Sequence, residues 1–276
     1  MNSSTQLKAL IRNMSKDKKI NAQILLRNYM LERLLERIAV SKYRDEFILK
    51  GGMLVAAMVG IDTRSTMDMD ATIKGQAVNK DNIENILNEI VAFDIGDNVK
   101  MSLKGIEEIR DEAEYPGLRA SIQTEFDGIT NMLKLDMTTG DMIVPKEITY
   151  EFKLMFEDRI LKVKAYNIET VLAEKIETII TRSTANTRMR DYYDVYIIMT
   201  MYKDLVNNNL LNDAIIKVFG NRDTTHILKD KTTILKEIEN SDRMQHRWER
   251  YQSKYSYAKE IKWNDIIIAL KEYIGG

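Results

Sequence analysis

Three carboxylates carry most of the chemistry legible in this chain. Asp68 and Asp70 flank Met69 in a short apolar stretch, and Asp136 interrupts the run Leu133-Lys134-Leu135-Asp136-Met137. Side chains alternate along a strand, so Asp68 and Asp70 share a face while Met67, Met69 and Ala71 pack behind them. By the same rule Leu133, Leu135 and Met137 form a core face, and Asp136 points the other way on a neighbouring strand. Acids crowded on one face repel each other unless something positive lies between them. Hard oxygen donors suit Mg²⁺ or Mn²⁺. Three such acids can serve two ions, one activating an attacking oxygen and the other steadying a departing pyrophosphate. An Asp-x-Asp alone is equally what a solvent-facing strand carries.

The second feature is Gly51-Gly52, which directly follows the apolar residues Phe47-Ile48-Leu49 and Lys50. Glycine lets backbone amides approach an anion closely, and a helix N-terminus favours negative charge there. The plain alternative is a tight turn. Arg64 and Thr66 stand just before the acids, and a guanidinium fork matches triphosphate oxygens.

A third group lies far along the chain. On a helix expected from Asn167 to Arg182, Ile168, Val171, Leu172, Ile176 and Ile179 form the apolar stripe, and Lys175 falls within or beside it. A lysine there needs a partner, because an unpaired buried charge is expensive. That partner is a phosphate or a core acid, unless the side chain snorkels to the rim. Asp191 and Asp194 are three residues apart and so share a helical face. Asp191 can position the lysine or contact a nucleotide. Near the C-terminus Arg243, Arg247 and Arg250 interleave with His246, Trp248 and Tyr251, a mixture able to hold an RNA backbone and stack a base. A solvated amphipathic helix explains the same pattern. Neither His226 nor His246 has a metal-ligand neighbour at useful spacing.

These groups need elements to hold them. The first forty residues read as helices, with Ile24, Leu25, Tyr29, Leu31, Leu34, Leu35 and Ile38 near the helical period. A strand over Phe47–Leu49 is followed by a buried helix over Met53–Val59, a strand over Met67–Ile73 and a helix over Asn82–Val91. Leu118, Ala120, Ile122 and Phe126 alternate with Arg119, Ser121, Gln123 and Glu125, which predicts a half-buried strand. Further strands are expected at Met132–Thr138 and Ile160–Tyr166, and helices from Asn167 almost to the end. The expected class is α/β (α+β). A mixed-sheet domain with N-terminal helices covers residues 1–165, and a helical domain covers 166–276. The acids lie in the first and Lys175 with Asp191 in the second, so the chemistry would need both.

Composition narrows the classes. A formal charge of −1 argues against coating nucleic acid by bulk attraction, though not against a local basic groove. Without cysteine there are no disulfides, thiolate zinc sites or cysteine nucleophiles. A polar N-terminus without a signal-peptide core, and no apolar run of membrane-spanning length, lead us to expect a cytoplasmic protein with no membrane partner. There is no Walker-type phosphate loop and no protein-kinase signature set.

Taken together, Phe47-Ile48-Leu49-Lys50-Gly51-Gly52 and Arg64-x-Thr66-x-Asp68-x-Asp70 resemble the first motif of the AbiEii/AbiGii-type toxins among the polymerase-β-like nucleotidyltransferases. Leu172-Ala173-Glu174-Lys175 and Arg190-Asp191-Tyr192-Tyr193-Asp194 resemble that family's later motifs, in the same order. One departure is Met53, where many members carry a threonine hydroxyl. The resemblance implies a nucleotidyltransferase-like first domain and a Mg²⁺- or Mn²⁺-dependent transfer of a nucleoside monophosphate from a nucleoside triphosphate. GTP or a pyrimidine triphosphate would be the donor and RNA, such as the 3′ end of tRNA, an acceptor. It implies catalytic roles for Asp68, Asp70, Asp136, Lys175 and Asp191, with Asp68, Asp70 and Asp136 holding metal. Nucleotide contacts would come from Lys50, Gly51, Gly52, Arg64, Thr66 and Asp194. It also implies a toxin of a toxin–antitoxin pair, serving abortive infection and antiviral defence, with a cognate antitoxin encoded nearby. The rival readings are a small-molecule nucleotidyltransferase of the aminoglycoside-modifying kind and an inactive interaction protein.

Overall fold

The structure, a computed structural model, describes residues 3–109 and 117–274. Its chain divides into two compact units, one of residues 1–140 and 147–166, the other of residues 141–146 and 167–276.

The first unit opens with two helices. Helix α1 (Ser4–Lys18) is capped by the Ser3 hydroxyl, which accepts from the Gln6 amide, and buries Leu7 and Ile11. Helix α2 (Ala22–Val40) is buried without a break from Asn28 to Ile38, well beyond the apolar stripe. Its charged residues are therefore paired. Arg37 grips Asp97 with both terminal nitrogens at 2.8 and 2.9 Å and donates to the Val99 carbonyl. Arg33 meets Glu157 at 2.8 Å, and Arg159 reaches Glu36 at 2.6 Å.

Seven strands form one sheet in the order β3-β4-β5-β2-β1-β7-β6 among the described residues. They are β1 (Phe47–Lys50), β2 (Met69–Ile73), β3 (Lys100–Ile109), β4 (Gly117–Phe126), β5 (Ile129–Thr138), β6 (Ile148–Lys153) and β7 (Ile160–Ala165). Strands β4 and β5 form a hairpin whose two-residue turn is Asp127-Gly128, both with positive φ, 43° and 78°. That is the backbone a tight hairpin requires and the residue pair that tolerates it. Strand β2 is antiparallel to β1 but parallel to β5, and β1 is parallel to β7. Helix α3 (Gly51–Val59) links β1 towards β2, and α4 (Lys80–Val91), capped by Asn79, buries Ile83, Ile86, Leu87 and Ile90.

Two expectations need correcting. The strand expected from Met67 begins at Met69, and Asp68 occupies the bend before it. Strands β3 and β6 were not expected at all. They are the two edges of the sheet and largely solvent-exposed, so neither carries an apolar alternation to read.

The second unit is helical: α5 (Ile168–Arg182), α6 (Met189–Tyr202), α7 (Asn208–Asn221), α8 (Lys231–Glu239), α9 (Asp242–Lys254) and α10 (Trp263–Ile274). Asn167 caps α5 by accepting from the Thr170 amide, while its own amide donates to the Val144 carbonyl at 2.6 Å. Among the described residues no helix is long and apolar enough to cross a membrane.

On α2, both Glu32 carboxylate oxygens accept the Met155 amide at 3.1 Å. Burial pushes the Glu32 carboxyl up to about 8, with Glu157 and Glu36 adding to the rise and the Met155 amide and Arg33 only partly offsetting it. A carboxyl raised in the folded state favours folding at low pH and loses that contribution as pH climbs through the raised value. Stability should therefore fall from about pH 4.5 towards about pH 8 through this group. In Glu32→Gln that slope should flatten, and the variant should gain on the parent steadily as pH rises. Denaturant midpoints taken across this range check the point; parallel curves for the two proteins would refute it.

Candidate active site

The site is built from the register of the sheet. Lys50 on β1 lies opposite Asp70 on β2, and Asp70 lies opposite Asp136 on β5. Asp136 lies opposite Arg119 on β4, which lies opposite Glu107 on β3. Opposed residues on adjacent strands share a face. One row therefore runs across five strands with signs −, +, −, −, + from Glu107 to Lys50. Alternation fails at one place, between Asp136 and Asp70, where two like charges start only about 4.8 Å apart at the backbone.

The neighbours of this pair answer its charge in different ways. Arg119 takes both oxygens of Asp136, Nε to Oδ1 and Nη2 to Oδ2, each at 2.7 Å. That hydrogen bonding raises the Arg119 pKa further above its ordinary value, and the charges of Asp136, Asp68 and Glu107 add to it. Asp68 thus lies within electrostatic reach of the same guanidinium, although it precedes the strand. Asp70 receives less. Burial pushes its carboxyl up, Asp136 pushes it further, and Lys50, the Gly52 amide and Arg64 offset only part of the rise.

The Gly52 amide donates to Asp70 Oδ2 at 3.2 Å, so the carboxylate faces the N-terminus of α3. Two glycines make this approach possible. Gly51 has φ +63°, and a Cβ there would stand 2.2 Å from Asp70 Oδ2. A Cβ on Gly52 would meet the Arg64 guanidinium at 2.8 Å and the Thr66 hydroxyl at 3.0 Å. Arg64 and Thr66, expected as triphosphate contacts, are both buried. Arg64 donates to the Ser65 carbonyl, and the Thr66 hydroxyl donates to the Asp68 carbonyl at 3.1 Å, shaping the bend that carries Asp68. From α2, the Asn28 amide secures that bend by donating to the Thr66 carbonyl at 2.9 Å. Lys50 sits over the Tyr166 ring, whose hydroxyl pairs with Thr72 at 2.8 Å.

As metal ligands, Asp70 and Asp136 offer hard oxygens in register, with Asp68 beside Arg119. Among the described residues no three acids or histidines converge as a ready-made set, and both Asp136 oxygens are turned to Arg119. The donor chemistry fits a hard divalent cation once Arg119 lets go.

In the helical unit, Lys175 on α5 is held between two acids of α6, Asp191 at 3.0 Å and Asp194 at 2.7 Å. Asp194 is fully buried, whereas Lys175 and Asp191 keep a small exposed surface. The shared face expected for the two aspartates is what lets both reach one ammonium. The mixed cluster near the C-terminus resolves into structural parts. Trp248 and Tyr251 are core residues. Arg247 donates to the Thr184 and Asn186 carbonyls, clamping the α5–α6 connection, and His246 pairs with the Asp242 carbonyl of its own helix. Arg243 and Arg250 face solvent, and His226 is exposed, so the amphipathic helix is the better description.

Sequence reasoning missed Arg119 as a site residue. The signal was present: alternation puts Arg119 opposite Leu118 and Ala120, as it puts Asp136 opposite Leu135 and Met137, so a β4–β5 hairpin pairs their polar faces.

The fold is that of nucleotidyltransferases. A solved structure described as a candidate nucleotidyltransferase from H. pylori aligns over 93% of this chain and 96% of its own, with a TM-score of 0.52 and 14% identity. The structure of JHP933 from Helicobacter pylori aligns over 93% and 94%, with a TM-score of 0.51 and 13% identity. No curated protein sequence matches. The description "Nucleotidyl transferase AbiEii toxin, Type IV TA system" matches residues 33–268, which is most of the chain. The chain belongs to this AbiEii toxin family of nucleotidyltransferases from type IV toxin–antitoxin systems.

The geometry makes Gly51 intolerant of any side chain. Gly51→Ala should displace Asp70 and lower the thermal midpoint, because it combines a positive φ with a 2.2 Å clash. Gly75→Ala, also at positive φ but with open space around it, is the control. If both variants lose stability equally, the close approach to Asp70 plays no part.

Proposed function

We propose that this chain is a toxin that transfers a nucleoside monophosphate from a nucleoside triphosphate to an RNA acceptor, such as the 3′ end of tRNA, with Mg²⁺ or Mn²⁺ held by Asp68, Asp70 and Asp136. The observation that carries the reading is the Asp70–Asp136 pair, in register on parallel strands, with Asp70 facing the glycine-led N-terminus of α3. Two acids held side by side at the expense of repulsion are well matched to a cation. Bound divalent ions would supply charge neutralisation at the phosphates and an activated acceptor oxygen.

The chain's own residues divide the remaining work. The Gly52 amide orients Asp70 at the start of α3, where the helix N-terminus adds a dipole favourable to negative charge. Lys50, at the end of β1, adds positive charge beside Asp70. In the helical unit, Asp194 fixes the Lys175 ammonium from a buried position, and the more accessible Lys175 and Asp191 serve the nucleotide. As a member of its family, the chain would be neutralised by a cognate antitoxin in the bacterial cytoplasm and would act in abortive infection.

The test is growth together with chemistry. Expression of the chain alone should arrest growth, and Asp70→Ala should relieve the arrest. In vitro, labelled nucleoside triphosphates should label RNA in Mg²⁺ but not in EDTA. Asp68→Ala and Asp70→Ala should abolish labelling, and Lys175→Ala should reduce it about tenfold or more. Undiminished toxicity of Asp70→Ala would mark a binding-only protein. Labelling of small alcohols in place of RNA would move the chain to the small-molecule transferases.

A further inference from the structure

The residue that the proposed chemistry leaves unused is the one most tightly bound to it. Arg119 grips Asp136 through a planar two-point contact, Nε–Oδ1 and Nη2–Oδ2, each 2.7 Å long. This geometry takes one lone pair of each carboxylate oxygen on the side facing β4. While it persists, those lone pairs of Asp136 are held by the guanidinium. The contact is not locked in the core, because the Arg119 side chain keeps 29% of its surface exposed and Asp136 keeps 18%. Three acids act on this one guanidinium, namely Asp136, Asp68 and Glu107. Two of the three are the proposed metal ligands.

We propose that Arg119 is the stand-in cation of this acid pair: it neutralises Asp136 until a divalent ion takes its place, and it then turns its guanidinium to the triphosphate. This rests on the metal-dependent reading above. Asp70 and Asp136 stand side by side, and Arg119 on one flank and Lys50 on the other offset their two charges, while Glu107 and Asp68 leave the surroundings negative. A divalent ion at Asp136 competes with Arg119 for the same carboxylate oxygens, and the ligand that arrives with the ion is a polyanion. A guanidinium fork pairs with phosphate oxygens as it does with a carboxylate. A lysine at this position could not do the same, because its ammonium is a single point of charge.

The test uses the full chain without nucleotide. Mn²⁺ is titrated calorimetrically into the parent, Arg119→Gln and Arg119→Lys, with melting curves to verify that each is folded. Arg119→Gln should bind the metal about tenfold more tightly than the parent, because nothing competes for Asp136, and Arg119→Lys should fall between them. With metal saturating, a non-hydrolysable nucleoside triphosphate should bind Arg119→Gln about tenfold more weakly than the parent. The opposite movement of the two affinities is the signature, which a merely structural arginine would not give. If the parent binds metal and both variants bind it equally or more weakly, the stand-in role is overturned while metal dependence survives. Should none of the three bind metal, the metal-dependent reading falls, and this inference with it. If Arg119→Gln does not fold, the same comparison between the parent and Arg119→Lys decides the matter.

Discussion

The arrangement turns on one register. Strand β2 lies parallel to β5 such that Asp70 stands opposite Asp136, and every other feature of the site accommodates that pairing. A shift of one residue would send Asp70 to the core face and Met69 to the solvent, so the apolar side of the sheet holds the acids together. Met69, Ala71, Leu135 and Met137 are all nearly fully buried. The energy that forces two carboxylates into proximity therefore comes from their apolar neighbours on the opposite face. Repulsion is then managed locally, by the Arg119 fork on one side and by a helix N-terminus and Lys50 on the other.

The loop between α3 and β2 is positioned in the same manner. Arg64 and Thr66 lie beneath Gly52, and each donates to the backbone of the bend, Arg64 to the Ser65 carbonyl and Thr66 to that of Asp68. Helix α2 reaches the same bend through Asn28 and is itself tied by ion pairs to segments far along the chain. Such buried pairs contribute little net stability but penalise alternatives, since an unmatched charge costs about 3 to 5 kcal/mol. The consequence is a bend whose position is set by many partners at once, which suits a residue such as Asp68 that has no strand hydrogen bonds to place it.

Much of this was legible in the chain because central strands must alternate. Leu118, Ala120, Ile122 and Phe126 announce β4, and Leu133, Leu135 and Met137 announce β5. Phe47 to Leu49 running into two glycines marks the turn into α3. The edges were not legible. Among the described residues strands β3 and β6 each pair on one side only, and Lys100, Lys104, Glu107 and Glu108 on β3 answer to water rather than to a core. The aspartates and Lys175 could be named from type and spacing, yet the partners they choose depend on register and on which strand lies next in space. Arg119 shows the difference, since its pairing with Asp136 follows only once β4 and β5 are known to be neighbours. At the C-terminus the pattern misled in the other direction. Trp248 and Tyr251 have the residue types of a stacking surface, but helical periodicity points both inward.

The six residues from Asp141 to Lys146 belong with the helices although they are inserted between two strands of the sheet. Val144 is the anchor: its carbonyl accepts from the Asn167 side chain and its amide donates to the Thr170 hydroxyl at 3.1 Å. The chain thus enters the helical unit, leaves it and returns, so the boundary in space is not a boundary in sequence. A gene cut at the end of β7 would deliver helices stripped of the peptide that fastens the start of α5. The two parts of this protein are therefore poor candidates for exchange as modules by recombination, and a lineage that rearranged its domains would have to carry this short segment along.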